Sequence, residues 1–242
     1  MRIEIGVVES LHRYPVKSMR GESLDAATLG WHGLEGDRRF ALRRTDVAGD
    51  FPFLTASKLA ELILFTPERL DGAAGGEAPS HVRTPEGESL PLFGNALADD
   101  IGRRARVPVQ MMQLRTGIFD DAPMSIIALG TIAELARLSE TEADVRRFRP
   151  NVVLRTTTAV PFEEDAWVGS VITFGDGADA PAVAVTQRDI RCAMLNIDPD
   201  SAVIAPAVLK AAVRANANNA GVYANVTRTG RLAVGQTAWL ER

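Results

Sequence analysis

The sequence predicts a β-rich α+β protein, because many short strand-like segments alternate with a few helical ones. The strand-like segments are rich in β-branched and aliphatic residues, and turn-forming residues separate them. Neither GxGxxG nor GxxxxGK[ST] occurs, and nothing repeats at the period of a solenoid. Many short strands with interspersed helices are typical of barrel-like folds.

Strand patterns run along the whole chain. They cover residues 3–11, 38–43, 107–114, 125–129, 152–155, 171–174 and 182–186, with a hairpin over 81–92. Residues 221–240 predict a second hairpin that closes near Thr229 and Gly230. Residues 71–80 are rich in Gly, Ala and Pro, and they predict a loop.

Three segments predict helices. Asn95 is a possible cap for a helix that runs to residue 104. Residues 131–138 place apolar side chains on one face, and residues 206–214 begin with a proline suited to a first helical turn.

Composition narrows the class of protein. The 242 residues are 46% hydrophobic and 24% charged, which is enough apolar material for the core of a globular protein. A net charge of −4 disfavours a nucleic-acid partner, and no apolar run is long enough to predict a membrane span. The N-terminus shows no secretory pattern and the single cysteine excludes an internal disulfide, so a cytoplasmic location is expected.

Cys192 is the first candidate for chemistry. Arg188 and Arg191 precede it, and nearby positive charge favours the thiolate, which is the form that attacks or binds a metal. A buried structural cysteine is the alternative interpretation of a lone thiol. The three histidines follow neither a protease signature nor the spacing of metal ligands.

Basic residues in other segments suit an anionic ligand. Lys17 and Ser18 follow a strand pattern and offer a cation and a hydroxyl to one phosphate. Arg38 stands at a strand start, where its guanidinium can hold a phosphate through two hydrogen bonds. Arg149 and Asn151, on either side of a proline, suit an anion and the edge of a heterocycle. The alternatives are an ordinary polar turn, a surface ion pair of Arg38 with the preceding aspartate, and a solvated basic face.

Four blocks of sequence resemble the MOSC family, named after the C-terminal domain of molybdenum cofactor sulfurase. They are YPVKSMRGESL at 14–24 with GDRRFAL at 36–42, FRPNVVL at 148–154, RCAMLNIDPDS at 191–201, and GVYANV with GRLAVGQTAWL at 221–226 and 230–240. The first block resembles the N-terminal β-barrel domain that accompanies many MOSC domains. The next two resemble the MOSC domain itself, and the last resembles its C-terminal strands.

The resemblance implies a site for the molybdenum cofactor, molybdopterin. In amidoxime-reducing members of the family a cysteine ligates molybdenum, while a Lys-Ser pair and an arginine hold the pterin phosphate. Carried over by position, the site consists of Cys192 as metal ligand, Lys17, Ser18 and Arg38 as phosphate contacts, and Arg149 and Asn151 as pterin contacts. A thiolate is a suitable soft ligand for such a metal.

The chain departs from the reductase pattern in two places. Asp120-Asp121-Ala122-Pro123 stands where those relatives carry Asp-Thr-Ser-Pro, and Ile190 stands where they carry serine. Both changes remove hydroxyl groups, so the site is expected to hold the cofactor differently or more weakly.

The resemblance also implies a division of the chain. Residues 1–93 are expected to form the N-terminal β-barrel-like domain and residues 94–242 the MOSC β-barrel domain. The cofactor is expected between the two, because the phosphate contacts come from the first part and the pterin and metal contacts from the second.

Three functional hypotheses follow. The first is a molybdenum-dependent oxidoreductase that reduces small N-hydroxylated or related N–O or S–O substrates, with Cys192 as the catalytic ligand. Its electrons are expected from an electron-donor protein, since one cysteine cannot hold an iron–sulfur cluster. The second is a non-catalytic carrier of the cofactor, or of persulfide sulfur on Cys192. The chain is too short for the desulfurase domain of the full sulfurase, so no pyridoxal phosphate is expected. The third is that the site has decayed and binds something else.

Overall fold

A computed structural model of the chain describes residues 2–49, 51–70 and 78–242. Within these ranges the strands are β1 (Arg2–Arg13), β2 (Glu22–Leu24), β3 (Ala26–Gly30), β4 (Gly33–Leu34), β5 (Phe40–Arg44), β6 (Thr66–Glu68), β7 (His81–Arg83), β8 (Ser89–Pro91), β9 (Val109–Gln113), β10 (Met124–Ala128), β11 (Val152–Thr156), β12 (Val171–Phe174), β13 (Ala182–Ile190), β14 (Asn219–Arg228), β15 (Gly230–Ala233) and β16 (Thr237–Glu241). The helices are α1 (Asn95–Ala105), α2 (Leu129–Ser139) and α3 (Ala207–Asn216), with short 3-10 helices at Ala60–Leu64, Val145–Arg147, Glu163–Trp167 and Ala193–Asn196.

The framework is a closed barrel of seven strands. Its order is β11-β10-β14-β13-β12-β16-β1, and it closes because β1 also pairs antiparallel with β11. The β10–β11 pair is parallel, and β2 extends the sheet beyond β1. Aliphatic and aromatic side chains such as Leu11, Ile126, Phe174 and Val222 fill the interior. The predicted β-rich α+β fold class is therefore confirmed.

Strand β1 joins two neighbours by bending. Its pairing register shifts between Glu4 and Gly6 against β16, and between Val8 and Ser10 against β11. Gly6 has φ +149°, and a Cβ atom there would lie 2.3 Å from the carbonyl oxygen of Arg155. Only glycine therefore lets β1 approach β11 closely enough to close the barrel.

A second apolar core lies beside the barrel. It collects side chains from β5 and β9, from the three-stranded sheet β6-β7-β8, and from α1, whose Leu97 and Ile101 are fully buried. Val16 and Ile197 join the same cluster from the N-terminal and C-terminal parts of the chain. A third cluster packs α2 and α3 against the barrel. Residues that follow β1 and β13 are thus held between two cores.

Most predicted elements are confirmed, including the strand at 3–11, the hairpin at 81–92 and the three helices. The cap at Asn95 is wrong by one position, because Gly94 occupies the cap and Asn95 is the first helical residue. Residues 71–77 of the predicted loop lie outside the described residues.

The predicted hairpin at 221–240 is wrong. The chain does turn at Thr229, but β14 pairs with β13 and β10, whereas β15 pairs with β3 and β16 pairs with β1 and β12. These strands therefore pair with partners from distant parts of the chain and not with each other. The pairings of β14 and β16 complete the barrel, whereas β15 forms a separate sheet with β3 and β4.

The division at residues 93 and 94 remains a prediction, and strand pairing crosses it. β1 from the first part lies in the barrel with strands from the second, and β5 pairs with β9. Among the described residues, no helix combines the length and the apolar character needed to cross a lipid bilayer.

Glu164, in the 3-10 helix Glu163–Trp167, is a fully buried carboxyl group that accepts hydrogen bonds from the start of α2. Its Oε2 accepts a hydrogen bond from Thr131 Oγ1 at 2.8 Å, and its Oε1 accepts one from the Ala128 amide at 3.4 Å. Burial raises the pKa of Glu164 to about 7, against the partial opposition of these hydrogen bonds. Between about pH 4.5 and about pH 7, Glu164 is therefore protonated in the folded protein and ionised in the unfolded chain.

We expect the free energy of unfolding to fall as pH rises from about 4.5 to about 7, by up to about 3 kcal/mol. The sign follows because the folded state binds the proton more tightly than the unfolded state in this range. Denaturant titrations across this range should show a smaller decline in Glu164→Gln and an unchanged one in the control Glu163→Gln. Equal pH dependence in wild type and Glu164→Gln would contradict this assignment.

Candidate functional site

An open cleft of about 470 Å³ lies where seven parts of the chain meet. They are the turn after β1, the residues just before β5, the segment between β5 and the 3-10 helix Ala60–Leu64, the segment before β10, the segment before β11, the end of β13 with the residues after it, and β14. Five of the six residues expected at the site line this cleft, namely Lys17, Ser18, Arg38, Arg149 and Cys192. The sixth, Asn151, lines a smaller adjoining cavity of about 30 Å³ that shares Arg38 and Arg149 with the cleft.

The floor of the site is a buried carboxylate, Asp37, with 1% of its surface exposed. It accepts hydrogen bonds from the Tyr14 amide at 2.7 Å, from Asn151 Nδ2 at 3.0 Å and from Arg38 Nη1. The alternative of a surface ion pair at Arg38 is wrong, because Asp37 and most of Arg38 lie inside the protein. The pair instead fixes the guanidinium at the bottom of the cleft.

Asn151 is committed to the protein's own hydrogen bonds. Its Nδ2 donates to Asp37 and, at 3.3 Å, to the carbonyl of His12, while its Oδ1 accepts from the Ser125 amide at 3.1 Å. This arrangement favours a positioning role for Asn151, which joins β1 to β10 and β11. Its contact with the pterin stays a prediction.

Three of the expected site residues adopt left-handed backbone conformations. The φ angles are 69° at Ser18, 49° at Arg38 and 53° at Arg149. Such conformations are uncommon for residues with side chains, and they persist where the surrounding structure enforces them. Their clustering in one cleft is typical of a binding site.

Two arginines converge on the ring of Tyr14. The guanidinium carbon lies 4.9 Å from the ring centroid for Arg38 and 4.2 Å for Arg149, a geometry that favours cation–π attraction. Burial lowers the pKa of Arg149 to about 10, and the charge of Arg38 acts in the same direction. Burial also lowers the pKa of Arg38, but the charge and hydrogen bond of Asp37 outweigh burial, so the pKa of Arg38 is raised. The two guanidinium groups form a positive floor, and the carboxylate of Asp120 in the same cleft favours the charge of both.

Lys17 is buried and already carries a partner. Its Nζ lies 2.7 Å from Asp120 Oδ1 and 5.5 Å from the centroid of the Phe51 ring. Burial lowers the pKa of Lys17, although Asp120 opposes this shift; the charges of Lys17 and its neighbours in turn lower the pKa of Asp120 against its own burial. An incoming anion must therefore displace or share the Asp120 carboxylate.

Cys192 is exposed in the cleft, at the start of the 3-10 helix Ala193–Asn196. The alternative of a buried structural cysteine is therefore wrong. Beside it in sequence, Arg191 donates to Asp189, a carboxylate with 1% exposure that also accepts from Ser125 Oγ at 2.9 Å. Burial raises the pKa of Asp189 despite the charge of Arg191. This buried ion pair fixes the strand end that precedes the thiol.

Sequence reasoning missed several residues of the cleft, which are Phe51, Arg147, Asp189, Met194 and Tyr223. Arg147 donates to Asp198 at 2.6 Å, but its buried Nε and Nη1 have no hydrogen-bond partner, and neither has the buried Nε of Arg191. A charged residue in a strand is a usable signal for Asp189. Nothing local distinguishes the others from ordinary surface or core residues.

The residues at the two departures lie in or beside the cleft. Asp121 and Ile190 are exposed at its edge, whereas Ala122 is buried against the smaller inner cavity. The hydroxyl groups that these positions lack would thus have faced the cleft or the cavity beside it.

Fold and site together define a barrel protein with a basic cleft and an accessible thiol. Family models extend this to a classification: the MOSC domain model matches residues 103–238, and the MOSC N-terminal beta barrel domain model matches residues 5–119. The chain belongs to the MOSC domain family, as its sequence blocks predicted. The family is associated with the molybdenum cofactor.

Individual relatives are more distant. Mitochondrial amidoxime reducing component 2 of Bos taurus is 26% identical over 240 residues, covering 83% of this chain and 69% of that protein. The crystal structure of the YUAD protein from Bacillus subtilis superposes with a TM-score of 0.51 at 15% identity, covering 99% and 97% of the two chains. That of YiiM from Escherichia coli gives a TM-score of 0.43 at 12% identity, covering 100% and 70%. The Bacillus structure shows the same fold.

Removing the competing carboxylate should strengthen anion binding. We expect Asp120→Asn to bind inorganic phosphate about fivefold more tightly than wild type. The variant no longer has to break the Lys17–Asp120 ion pair, which costs roughly 1 kcal/mol of binding free energy. Isothermal titration calorimetry at low ionic strength measures the change. The double variant Lys17→Ala/Asp120→Asn should lose this gain. The same gain in the double variant would show that Lys17 is not the cation released.

Proposed function

We propose that this protein binds the molybdenum cofactor in the cleft and uses it to reduce small N-hydroxylated or related N–O or S–O compounds. One observation carries the proposal: residues from distant parts of the chain place a Lys-Ser pair, two half-buried arginines and an exposed thiol in one cleft. Family membership and the amidoxime-reducing relative support it.

The donor set fits such a ligand. Lys17, Ser18 and Arg38 offer charge and hydrogen bonds to a phosphate, and Arg149 extends the positive floor toward a pterin ring. Cys192 offers an accessible sulfur to a soft metal. The buried N–H groups without partners on Arg147 and Arg191 also indicate that the cleft wall has hydrogen-bonding capacity to spare.

In the proposed reaction, the cofactor and the residues of the cleft have separate roles. The cofactor, when bound, supplies the two-electron chemistry. Lys17, Ser18 and Arg38 anchor the phosphate, and the Asp37–Asn151 contact holds Arg38 in place for that task. The net reaction for a hydroxylamine is R–NH–OH + 2 e⁻ + 2 H⁺ → R–NH₂ + H₂O. Its electrons come from a separate electron-donor protein, and its protons enter from solvent through the open cleft.

A second candidate is a carrier of the cofactor, or of persulfide sulfur on Cys192. The open exposure of the thiol and the missing hydroxyls near Ala122 favour it. A carrier would bind the cofactor without turnover, or would gain a sulfur on Cys192 after incubation with a cysteine desulfurase.

We expect near-stoichiometric molybdenum in protein purified anaerobically from a cofactor-competent host. Cys192→Ala should lose most of the metal, because the sulfur ligand is absent, and Lys17→Ala should lose cofactor through its phosphate. Lys58→Ala, which removes an exposed lysine outside the cleft, is the matched control. Metal content by mass spectrometry and pterin content by fluorescence measure these losses. Wild-type protein without metal and pterin would contradict cofactor binding.

Turnover separates the enzyme from the carrier. Loaded wild-type protein, reduced by a viologen dye, should convert an amidoxime or a hydroxylamine to the reduced product, and Cys192→Ala should show no more than background. Loaded protein that turns over neither compound would contradict the reductase. A sulfur-sized mass increment on Cys192, in cofactor-free protein incubated with a cysteine desulfurase and cysteine, would then identify the persulfide carrier.

A further inference from the structure

A hydrogen-bonded cluster of Ser125, Asp189 and Tyr223 lies on the outer face of the barrel. Ser125 on β10 and Tyr223 on β14 are direct partners across neighbouring strands. Their sequence neighbours Ile126 and Val222 belong to the interior core, so both polar side chains point outward. Asp189 lies on β13, which pairs with β14. Its carboxylate accepts hydrogen bonds from Ser125 Oγ at 2.9 Å and from the Tyr223 hydroxyl.

The pairing of β13 with β14 is irregular near Asp189. Its register shifts between Val185 and Gln187, and again between Arg188 and Ile190. Gln187 is exposed, whereas Asp189, two residues later on the same strand, is buried. Bulges of this kind change the direction of a side chain, and they are over-represented beside active sites. The irregular pairing thus places a buried carboxylate in the wall of the cleft.

Asp189 takes up a proton at a higher pH than an ordinary aspartate. Burial raises the pKa of Asp189, and the charge of Asp120 acts in the same direction. The charge of Arg191 and the hydrogen bonds from Ser125 and Tyr223 oppose this shift without cancelling it. A carboxyl group in this state can pass a proton to a neighbour and regain it from water.

Tyr223 connects Asp189 to the cleft. It is 9% exposed, and like Asp189 it lines both the cleft and the smaller inner cavity. Three charged side chains line the inner cavity with this pair, namely Arg38, Asp120 and Arg149. Burial and the charges of Asp189 and Asp120 raise the pKa of Tyr223, against the charges of Arg191 and Arg38. Tyr223 therefore keeps its proton at neutral pH, and its hydroxyl is a hydrogen-bond donor within the cleft.

We propose that Tyr223 gives a proton to the oxygen that leaves the substrate, and that Asp189 positions the Tyr223 hydroxyl and restores its proton. As the N–O bond of a hydroxylamine breaks, the O–H bond of Tyr223 breaks and a new O–H bond turns the leaving hydroxyl into water. The Asp189 carboxyl passes its proton to Tyr223, and solvent re-protonates Asp189 through the cleft. The inference rests on the proposed reduction, whose two electrons come from the electron-donor protein. It supplies one of the two protons consumed, and the proton for the nitrogen comes from solvent.

Single-turnover reduction of a hydroxylamine by loaded, pre-reduced protein tests this transfer. Tyr223→Phe keeps the ring and removes the proton, so it should slow the reaction about a hundredfold without changing the substrate concentration for half-maximal rate. Asp189→Asn should slow it about tenfold. The wild-type rate should fall as pH rises through the raised pKa of Asp189, and this fall should be absent in Asp189→Asn. Where Asp189→Asn fails to fold, Tyr223→Phe decides the test.

Infrared titration of the same loaded samples measures the proton on Asp189 without turnover. The spectrum of wild type minus that of Asp189→Asn should contain the C=O band of a protonated carboxylic acid. This band should disappear at a higher pH than for an ordinary aspartate. Glu164 is present in both samples, so its band cancels. A difference spectrum that shows only an ionised carboxylate down to about pH 4 would overturn the role of Asp189.

Two substitutions outside the cleft serve as matched controls. Thr186→Val removes a hydroxyl that donates to the Tyr223 carbonyl, and Glu164→Gln removes another buried carboxyl group. Both should keep the wild-type rate, and all variants should retain the wild-type content of molybdenum. Loss of the metal in Tyr223→Phe, or a wild-type rate in that variant, overturns this inference while the reductase proposal stands. Loaded wild-type protein that reduces no substrate overturns the reductase proposal and this inference with it.

Discussion

The hydrogen bond between Asp37 and Asn151 is the contact on which the site depends. It joins the segment between β4 and β5 to the residue just before β11, and both residues are 1% exposed. A buried carboxylate requires several donors, and here they come from Tyr14, Arg38 and Asn151. Once these are in place, the position of Arg38 is fixed, and the floor of the cleft follows from it.

The barrel makes that contact possible. Because β1 pairs with β11 and β16, residues near the N-terminus leave the barrel beside residues that lie more than a hundred positions later. The second core then holds the turn that carries Lys17 and Ser18, while β13 delivers Cys192 from the other side. A site assembled in this way has room for a ligand between the segments, as the proposed cofactor site requires.

Local sequence patterns predicted the strands and helices, whereas the resemblance to the MOSC family predicted which residues meet in the cleft. Strand and helix periodicity is local, so β1 and α1 were readable within a residue or two. The hairpin at 221–240 failed because β14 and β15 find partners far away in sequence, and such pairings leave no local signal. For the same reason the sequence could not show that Asn151 donates a hydrogen bond to Asp37, or that Lys17 forms an ion pair with Asp120.

The central claim is that Cys192 Sγ binds the metal of a cofactor anchored by Lys17, Ser18 and Arg38. X-ray absorption at the molybdenum edge tests it most directly, on loaded wild-type protein and on Cys192→Ser. We expect one sulfur neighbour fewer in the variant, with an oxygen or nitrogen in its place. Identical sulfur neighbours in the two samples, or protein that takes up no molybdenum, would contradict it.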